Sequence, residues 1–296
     1  MSSLDKDLQK KKESLEEFRD LTKRVLQYIP NIISKTEVKG AYQISSSTIA
    51  GTLKYIRPIN NDLFIANLND FEANYIQYIT LLSDIKNGRR KFSKEEKLTI
   101  DKVTYTMQQS IGAGLDLLVE QNSARKHVGN RFEELIRLIF TEINISNKKT
   151  VLQIPYETDE GEKIYKCEND LILSKNKTVK STSKYLDESE IVVSIKTTSK
   201  DRMGKMFIDK LLLEKFVNHN QAVIGIFLND VQRKENNNIS FTLVSGLFMV
   251  YTKFLTNLQG IYYLDPPPNA NKKPYNNHMS TFSKLVTEDI WTLFSS

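Results

Sequence analysis

Two stretches of the chain decide its predicted fold: Ile164-Tyr-Lys-Cys-Glu-Asn-Asp-Leu-Ile-Leu173 and, after a polar connection, Ile191-Val-Val-Ser-Ile-Lys196. Both are short and rich in β-branched and aliphatic residues, a pattern typical of buried strands. Asp170 lies inside the first run, and Lys196 ends the second. A charged residue directly after a buried strand occupies a place where sites on α/β sheets are often found. We therefore predict that these strands form part of a functional site.

The segments around these strands predict a sheet core with helical additions, an α/β or α+β fold. The order is helix, strand, strand, strand, helix, strand. The flanking helices are predicted at Asn130–Ile143 and Met206–Asn218, and the remaining strands at Val151–Tyr156, Ala222–Leu228 and Ile239–Val244. Residues 265–278, which contain three consecutive prolines, are predicted to be a loop.

The first 120 residues differ from the rest because their apolar residues recur at three- and four-residue steps. This periodicity predicts helices over residues 4–29, 68–87 and 94–119. Ser93 followed by Glu96 has the spacing of a capping box at the start of the last of these. We divide the chain into a mostly helical region, residues 1–120, and a core with a C-terminal extension, residues 121–296.

Composition narrows the class of protein. The chain has 296 residues, 40% of them hydrophobic, and a net charge of +6. The length allows one large domain or two smaller ones, and the positive charge favours a polyanionic partner such as nucleic acid. A lone cysteine, Cys167, excludes an internal disulfide framework and a cysteine-rich zinc site. A charged N-terminus and short apolar runs predict a soluble cytoplasmic protein without a signal peptide or membrane span.

An acid and a lysine on neighbouring strands are side chains that metal-dependent phosphodiester hydrolysis can use. Carboxylate oxygens hold Mg²⁺, which polarises the phosphate and activates water. A lysine positions or deprotonates the water and offsets the developing charge. Ser194 and Lys196 lie on one face of their strand, because side chains alternate with a period of two. The same residue types also occur as solvated charges at sheet edges, so the pair alone leaves both interpretations open.

The pattern Glu168-Asn-Asp170 followed by Ser194-Ile-Lys196 resembles the PD-(D/E)XK nuclease superfamily, to which most type II restriction enzymes belong. The resemblance implies a restriction-endonuclease-like fold, with a central mixed sheet flanked by helices, and Mg²⁺-dependent cleavage of DNA by a nuclease core at residues 121–296. The chain departs from the pattern twice. Asn169 stands where the family has proline, and Ser194 stands where it has an acid.

One branch of these enzymes, which cuts CCGG- and CCNGG-like sites, is similar in having a non-acidic residue at the position of Ser194. In that branch the missing carboxylate comes from the following helix, about a dozen residues past the lysine. Twelve residues separate Lys196 from Asp209 in this chain. The resemblance therefore implies that Asp209 replaces the missing acid, and Glu214 is the alternative.

The same branch reads G·C base pairs with a short cluster of an arginine or lysine, an acid and an arginine just past the catalytic lysine. Lys200-Asp201-Arg202 matches this cluster in position and charge. Arginine and lysine donate to guanine O6 and N7, and an acid accepts from cytosine N4. The resemblance thus implies that Lys200, Asp201 and Arg202 contact DNA bases.

Upstream, the segment Gly129-Asn-Arg-Phe-Glu-Glu-Leu135 resembles the family's helix that contributes one more carboxylate. At 100° per residue, Glu133 borders the apolar face of this helix, whereas Glu134 points away from it. Glu133 is therefore the better candidate. Its alternative role is a surface ion pair with Arg137 one turn later.

The resulting hypothesis is a type II restriction endonuclease in which Asp170, Asp209 and Glu133 hold Mg²⁺ and Lys196 orients or activates water. Such an enzyme leaves a 5′-phosphate and a 3′-hydroxyl. Short palindromic sites match a two-fold symmetric protein, so we expect a homodimer on double-stranded DNA, with the N-terminal helices either forming dimer contacts or embracing the duplex. Two alternatives stay open: a repair or recombination nuclease of the same superfamily, and a non-catalytic DNA-binding protein on a degenerate nuclease core.

Overall fold

The N-terminal region combines helices with a small antiparallel sheet. This computed structural model describes residues 3–295, except for the side chain of Asp201. The helices are α1 (Leu4–Gln9), α2 (Leu15–Tyr28), α3 (Leu68–Lys86) and α4 (Lys94–Leu118). Between α2 and α3 lie β1 (Lys35–Lys39), β2 (Tyr42–Ile49), β3 (Thr52–Tyr55) and β4 (Ile59–Asn60), in which β2 pairs antiparallel with the other three strands.

The rest of the chain alternates strands and helices. It begins with α5 (Gln121–Glu142), β5 (Ser146–Thr158), β6 (Gly161–Ser174), β7 (Ile191–Lys196) and α6 (Met203–Val217). It continues with β8 (Ala222–Phe227), β9 (Val231–Arg233), β10 (Ile239–Phe241), α7 (Ser245–Phe254), β11 (Gly260–Tyr263) and β12 (Met279–Thr281). A C-terminal helical segment covers residues 282–293.

A mixed sheet forms the centre of the fold. Within residues 3–295 it has six strands in the order β12-β11-β8-β7-β6-β5. The pairs β5–β6 and β6–β7 are antiparallel, whereas the pairs β7–β8, β8–β11 and β11–β12 are parallel. The predicted fold class, a central mixed sheet flanked by helices, is confirmed.

The two faces of the sheet pack against different helices. On one face Val193 lies in a hydrophobic core with residues of α2, α4 and α5. On the other face Val192 packs with residues of α6 and α7. Ser194 and Lys196 follow the alternation of Val192, so they lie on the α6 face. Helix α4 is buried along most of its length, and its predicted capping box at Ser93 is formed. Because the first core contains residues of both predicted regions, they share one interior.

The predicted helix over residues 4–29 is interrupted at residues 10–14, between α1 and α2. The Ser14 hydroxyl caps α2 by accepting from the Glu17 backbone N–H at 3.2 Å. Lys12 is buried in the interruption, where its ammonium donates to a carbonyl of α1 at 2.8 Å. Apolar periodicity shows neither contact, which is why it predicts one continuous helix.

The sequence prediction also misses several strands. The strands β1–β4 lie in the region predicted to be mostly helical, and Ala50 and Gly51, with φ of +50° and +77°, form the turn between β2 and β3. The predicted strand Ile239–Val244 is shortened to β10, which pairs with β9 in a separate sheet. The prediction also misses α7, β11 and β12. The two strands are too short to show a periodic pattern in the sequence.

Both helices that flank the candidate site begin earlier than predicted. Helix α5 begins at Gln121 instead of Asn130, because the Glu120 carboxylate accepts hydrogen bonds from two backbone N–H groups of the first turn. Glutamate is not among the strongly preferred capping residues, so the sequence gives no clear start signal there. Helix α6 begins at Met203 instead of Met206. Within residues 3–295 no helix combines the length and the apolarity that a bilayer span requires.

Asp101 on α4 provides a test of the packing by pH. Its buried carboxylate accepts from the backbone N–H and the hydroxyl of Ser283, at 2.8 and 2.6 Å, and burial raises its pKa to about 7. Since the folded state binds this proton more tightly than the unfolded state, the carboxyl's contribution to stability is full below its unfolded pKa of about 4 and is lost as the pH rises through 7.

The variant Asp101→Asn cannot titrate at this position. We therefore expect the free energy of unfolding of the variant, relative to that of wild type, to increase as the pH rises from about 4 to 8, because only wild type loses stability over this interval. Urea denaturation at several pH values measures this difference. A difference that is independent of pH would contradict the assignment.

Candidate active site

Asp170 and Lys196 are in direct contact at the carboxyl end of β7. The Lys196 ammonium donates to Asp170 Oδ2, and the backbone N–H of Ile195 donates to the same oxygen at 2.8 Å. Pairing between β6 and β7 ends at Leu171 and Val193. The carboxylate therefore takes the place of a strand partner for Ile195 and binds the lysine at the same time.

A β-bulge in β6 sets the direction of Asp170. Lys148 pairs with Ile172 and Thr150 pairs with Asn169, so Asp170 and Leu171 together oppose Lys149. The bulge shifts the alternation of side chains: Cys167 before it and Ile172 after it both pack in the α6-side core. Bulges are frequent next to active sites because they redirect a side chain. Asp170 consequently borders cavities on both faces of the sheet.

The cavity on the α6 face has a volume of about 300 Å³. Its wall includes Asp170, Ser194, Lys196, Arg202 and Asp209. The strands contribute the first three of these residues, the turn before α6 contributes Arg202, and α6 itself contributes Asp209. The structure therefore brings the predicted strand residues and the predicted helix acid to one cavity.

Of the two candidate acids on α6, Asp209 is the one at the cavity. Its carboxylate pairs with Lys205, one helical turn earlier, at 2.6 Å. Glu214 lies in the last turn of α6, where it accepts from the Lys210 ammonium at 2.6 Å and from the Gln221 backbone N–H at 3.2 Å. These bonds hold the end of the helix against the start of β8. Glu214 thus has a structural environment, and Asp209 faces the cavity.

Glu133 approaches Asp170 from the opposite face of the sheet. It lies on α5, and with Lys149 and Asp170 it lines a second cavity. The Lys149 ammonium is 3.1 Å from Glu133 Oε2. Burial raises the pKa of Glu133, and the negative charge of Asp170 raises it further. The two carboxylates are thus neighbours on the wall of this cavity.

The alternative partner for Glu133 is not used. Arg137 lies instead near Glu13, at 3.8 Å. Glu134 lines the same cavity, but it accepts from the Lys12 backbone N–H at 3.0 Å and from the Arg131 guanidinium. Of the two acids, Glu133 is the one that pairs with a residue of the central sheet, Lys149.

The predicted base-reading cluster forms a short 3₁₀ turn, Lys200–Arg202, between β7 and α6. Lys200 and Arg202 are exposed, and Arg202 also lines the α6-side cavity. The side chain of Asp201 lies outside the described part of the structure. The two basic residues are thus accessible beside the cavity.

Sequence reasoning missed Lys149 and Lys205, which accompany the candidate acids. Each acid contacts one lysine: Asp170 with Lys196, Asp209 with Lys205, and Glu133 with Lys149. The spacing of Lys205 and Asp209, four residues apart on a predicted helix, was available as a signal. The position of Lys149 depends on the bulge, which the strand pattern does not reveal.

The three predicted metal ligands do not form one cluster. Among the residues that the structure describes, no three His, Cys, Asp or Glu side chains are grouped as a metal-holding cluster. Asp170, Asp209 and Glu133 are therefore not gathered around one point, since each is turned toward its lysine. Mg²⁺ usually takes one or two carboxylates and completes its shell with water and phosphate oxygens. Asp170 and Asp209, which line one cavity, fit this requirement.

Comparison with known proteins identifies the fold. No protein-family model and no curated protein matches the chain. The crystal structure of the type IIP restriction endonuclease Kpn2I is similar, with a TM-score of 0.68, 16% identity, and coverage of 95% of this chain and 91% of that chain. The complex of restriction endonuclease PspGI with substrate DNA has a TM-score of 0.46, 12% identity, and coverage of 76% and 93%. The likeness to Kpn2I shows a restriction-endonuclease-like fold.

Lys149→Met tests the electrostatics of the α5-side cavity. The ammonium 3.1 Å away favours the ionised form of Glu133, so its removal should raise the pKa of Glu133 further. Carboxyl ¹³C NMR across a pH titration measures this value. Lys163→Met is the matched control, because Lys163 pairs with Glu160 in the turn between β5 and β6. An equal or lower pKa of Glu133 in Lys149→Met would show that the pairing is absent.

Proposed function

We propose that this protein is a type II restriction endonuclease that hydrolyses DNA phosphodiester bonds at a short specific site with Mg²⁺. One observation carries the proposal: Asp170 and Lys196 are in contact on adjacent strands of a restriction-endonuclease-like fold, beside Asp209 in one cavity. The similar solved structure over almost the whole chain is that of a type IIP restriction endonuclease. The family resemblance of the two strand motifs supports the same assignment.

Asp170 and Asp209 are the residues that hold Mg²⁺ in this proposal. Bound Mg²⁺ supplies Lewis-acid polarisation of the scissile phosphate and makes the attacking water more acidic. Lys196, whose ammonium donates to Asp170, would orient the attacking water and offset charge on the phosphate oxygens. Attack in line on phosphorus leaves a 5′-phosphate and a 3′-hydroxyl.

Asp209 has the role that Ser194 cannot have. A serine hydroxyl is neutral, so the strand alone provides one carboxylate, Asp170, where two are useful to a hard cation. Asp209 adds the second from α6 and lines the same cavity. Glu133 assists from the α5 face, where burial, and then the charge of Asp170, raise its pKa.

DNA recognition is assigned to the turn before α6. Lys200 and Arg202 are exposed beside the cavity and carry donors suited to guanine, and Asp201 has the acceptor suited to cytosine. Cutting both strands of a palindromic site requires two such active sites related by two-fold symmetry. The proposal therefore includes a homodimer on double-stranded DNA.

Lys196→Ala tests the catalytic assignment. Cleavage of phage DNA with Mg²⁺ should fall by about 10²- to 10⁴-fold, the range typical for loss of a general acid–base group. Binding of a duplex that contains the recognition site should change little. Lys97→Ala is the matched control, because Lys97 of α4 pairs with Glu288 of the C-terminal helical segment and does not line the cavity. Gel analysis of the digests and sequencing of the ends measure rate and site together.

The same digests separate the alternatives. Discrete fragments support a restriction enzyme, and an active Lys196→Ala enzyme refutes the assignment of the lysine. Smears or structure-specific nicks from wild type indicate a repair or recombination nuclease. Salt-sensitive binding without cleavage in Mg²⁺ or Mn²⁺ indicates a non-catalytic DNA-binding protein.

Asp209→Ala and Glu214→Ala form a matched pair on α6. Asp209→Ala should lower cleavage by about 10²-fold or more, because loss of a metal ligand removes several kcal/mol of charge stabilisation. Glu214→Ala should lower the melting temperature, since it leaves the buried ammonium of Lys210 with fewer partners, but it should retain cleavage. Digestion rates and thermal unfolding measure both effects. The reverse pattern would assign the acid to Glu214.

A further inference from the structure

A fully buried carboxylate lies directly beyond β8, outside the residues used so far. Asp230 is 0% exposed, and all of its partners are neutral. Its Oδ1 accepts from the Ser199 backbone N–H at 2.7 Å, and its Oδ2 accepts from the Ser199 hydroxyl at 2.6 Å and the Tyr263 hydroxyl at 2.7 Å. The hydroxyls of Thr198 and Thr242 are also within 3.2 Å of Oδ1. A buried carboxylate is costly without such donors, so its position invites a functional explanation.

Asp230 extends the pairing between β8 and the active-site strand. Beyond the strands themselves, the Leu228 backbone N–H donates to the Lys196 carbonyl at 3.2 Å, and the Asn229 N–H donates to the Thr197 carbonyl at 3.4 Å. Asp230 continues this series through its side chain, which binds both donors of Ser199. The connection that leaves Lys196 is thereby attached to the central sheet.

Ser199 connects the sheet to the turn Lys200–Arg202, which the proposed function assigns to base reading. Its carbonyl accepts from the backbone N–H groups of Arg202 and Met203, at 2.9 and 2.8 Å, which begins the turn and α6. A serine in this position ordinarily uses its hydroxyl to accept from a first-turn N–H. Here no such capping bond is formed, and the hydroxyl donates to Asp230 instead. The backbone N–H and the hydroxyl of Ser199 are therefore bound from the sheet side, while its carbonyl begins the turn.

We propose that Asp230 is a positioning residue that fixes Ser199 and so sets the distance and orientation of Lys200 and Arg202 relative to Asp170 and Lys196. The part of this inference that concerns base reading rests on the proposed function. A contact to a base edge depends on placement within a fraction of an ångström, so loosening Ser199 should reduce discrimination between sites more than it reduces cleavage at the correct one.

Two conservative substitutions form a matched pair. Ser199→Ala and Tyr263→Phe each remove one hydroxyl donor from Asp230 Oδ2, but only Ser199 belongs to the connection. We expect Ser199→Ala to lower the ratio of cleavage at the correct site to cleavage at a site with one changed base pair by about tenfold, which is within the range for one base contact. Tyr263→Phe should keep this ratio near that of wild type. Arg202→Ala serves as the positive control for lost discrimination.

Amide hydrogen exchange provides a second measurement that does not require cleavage. Exchange at residues 199–203 should be faster in Ser199→Ala than in wild type, while exchange in β7 of this variant stays the same. In Tyr263→Phe, exchange at residues 199–203 should equal that of wild type. Should wild type not cut DNA at all, the proposed function fails, and exchange alone still decides whether Asp230 holds the turn.

Three results would overturn the inference. The first is an amide exchange rate at residues 199–203 of Ser199→Ala that equals the rate in wild type. The second is faster exchange together with unchanged discrimination in an active enzyme. The third is an equal loss of discrimination in Tyr263→Phe, which would indicate general loosening of the buried network.

Discussion

The structure around the candidate site depends on one interaction, the bond network of the Asp170 carboxylate at the end of the β6–β7 pairing. The same oxygen accepts from the Ile195 backbone N–H and from the Lys196 ammonium. The first bond satisfies a strand N–H where pairing has stopped, and the second neutralises a side chain that is only 10% exposed. A carboxylate in this place is therefore structurally useful before any ligand arrives, and it is already beside the lysine that the proposed chemistry requires.

The bulge makes this residue accessible from both faces of the sheet. Without it, strict alternation would assign Asp170 to one face, and a carboxylate on the other face would be separated from it by the thickness of the sheet. With it, Asp209 from α6 and Glu133 from α5 approach Asp170 from opposite sides. Each acid contacts a lysine, so the site stays close to electrically neutral and its carboxylates are not left facing one another.

The sequence predicted those parts of the fold and the site that depend on local pattern. Period-two alternation located β7 to the residue and placed Ser194 and Lys196 on one face, and the helical angle of 100° distinguished Glu133 from Glu134. The missed features depend on contacts between distant residues. The bulge opposite Lys149 arises from strand register, and the small N-terminal sheet pairs short strands that carry little periodic signal.

Buried aspartates join segments that the sequence pattern treats as separate. Asp101 binds the C-terminal helical segment to α4, Asp230 binds the connection after β7 to β8, and Asp265 accepts from Tyr42 and Asn60 of the N-terminal sheet. Burial raises the pKa of Asp265 to about 6 and that of Asp101 to about 7, because it disfavours the ionised form of each carboxyl group. An apolar residue would pack at each place with less penalty, but it would not direct a specific N–H or hydroxyl to a specific point. Their common effect is therefore on arrangement: they select one relative placement of the sheet, the N-terminal strands and the turn before α6, which is what a site assembled from several elements needs.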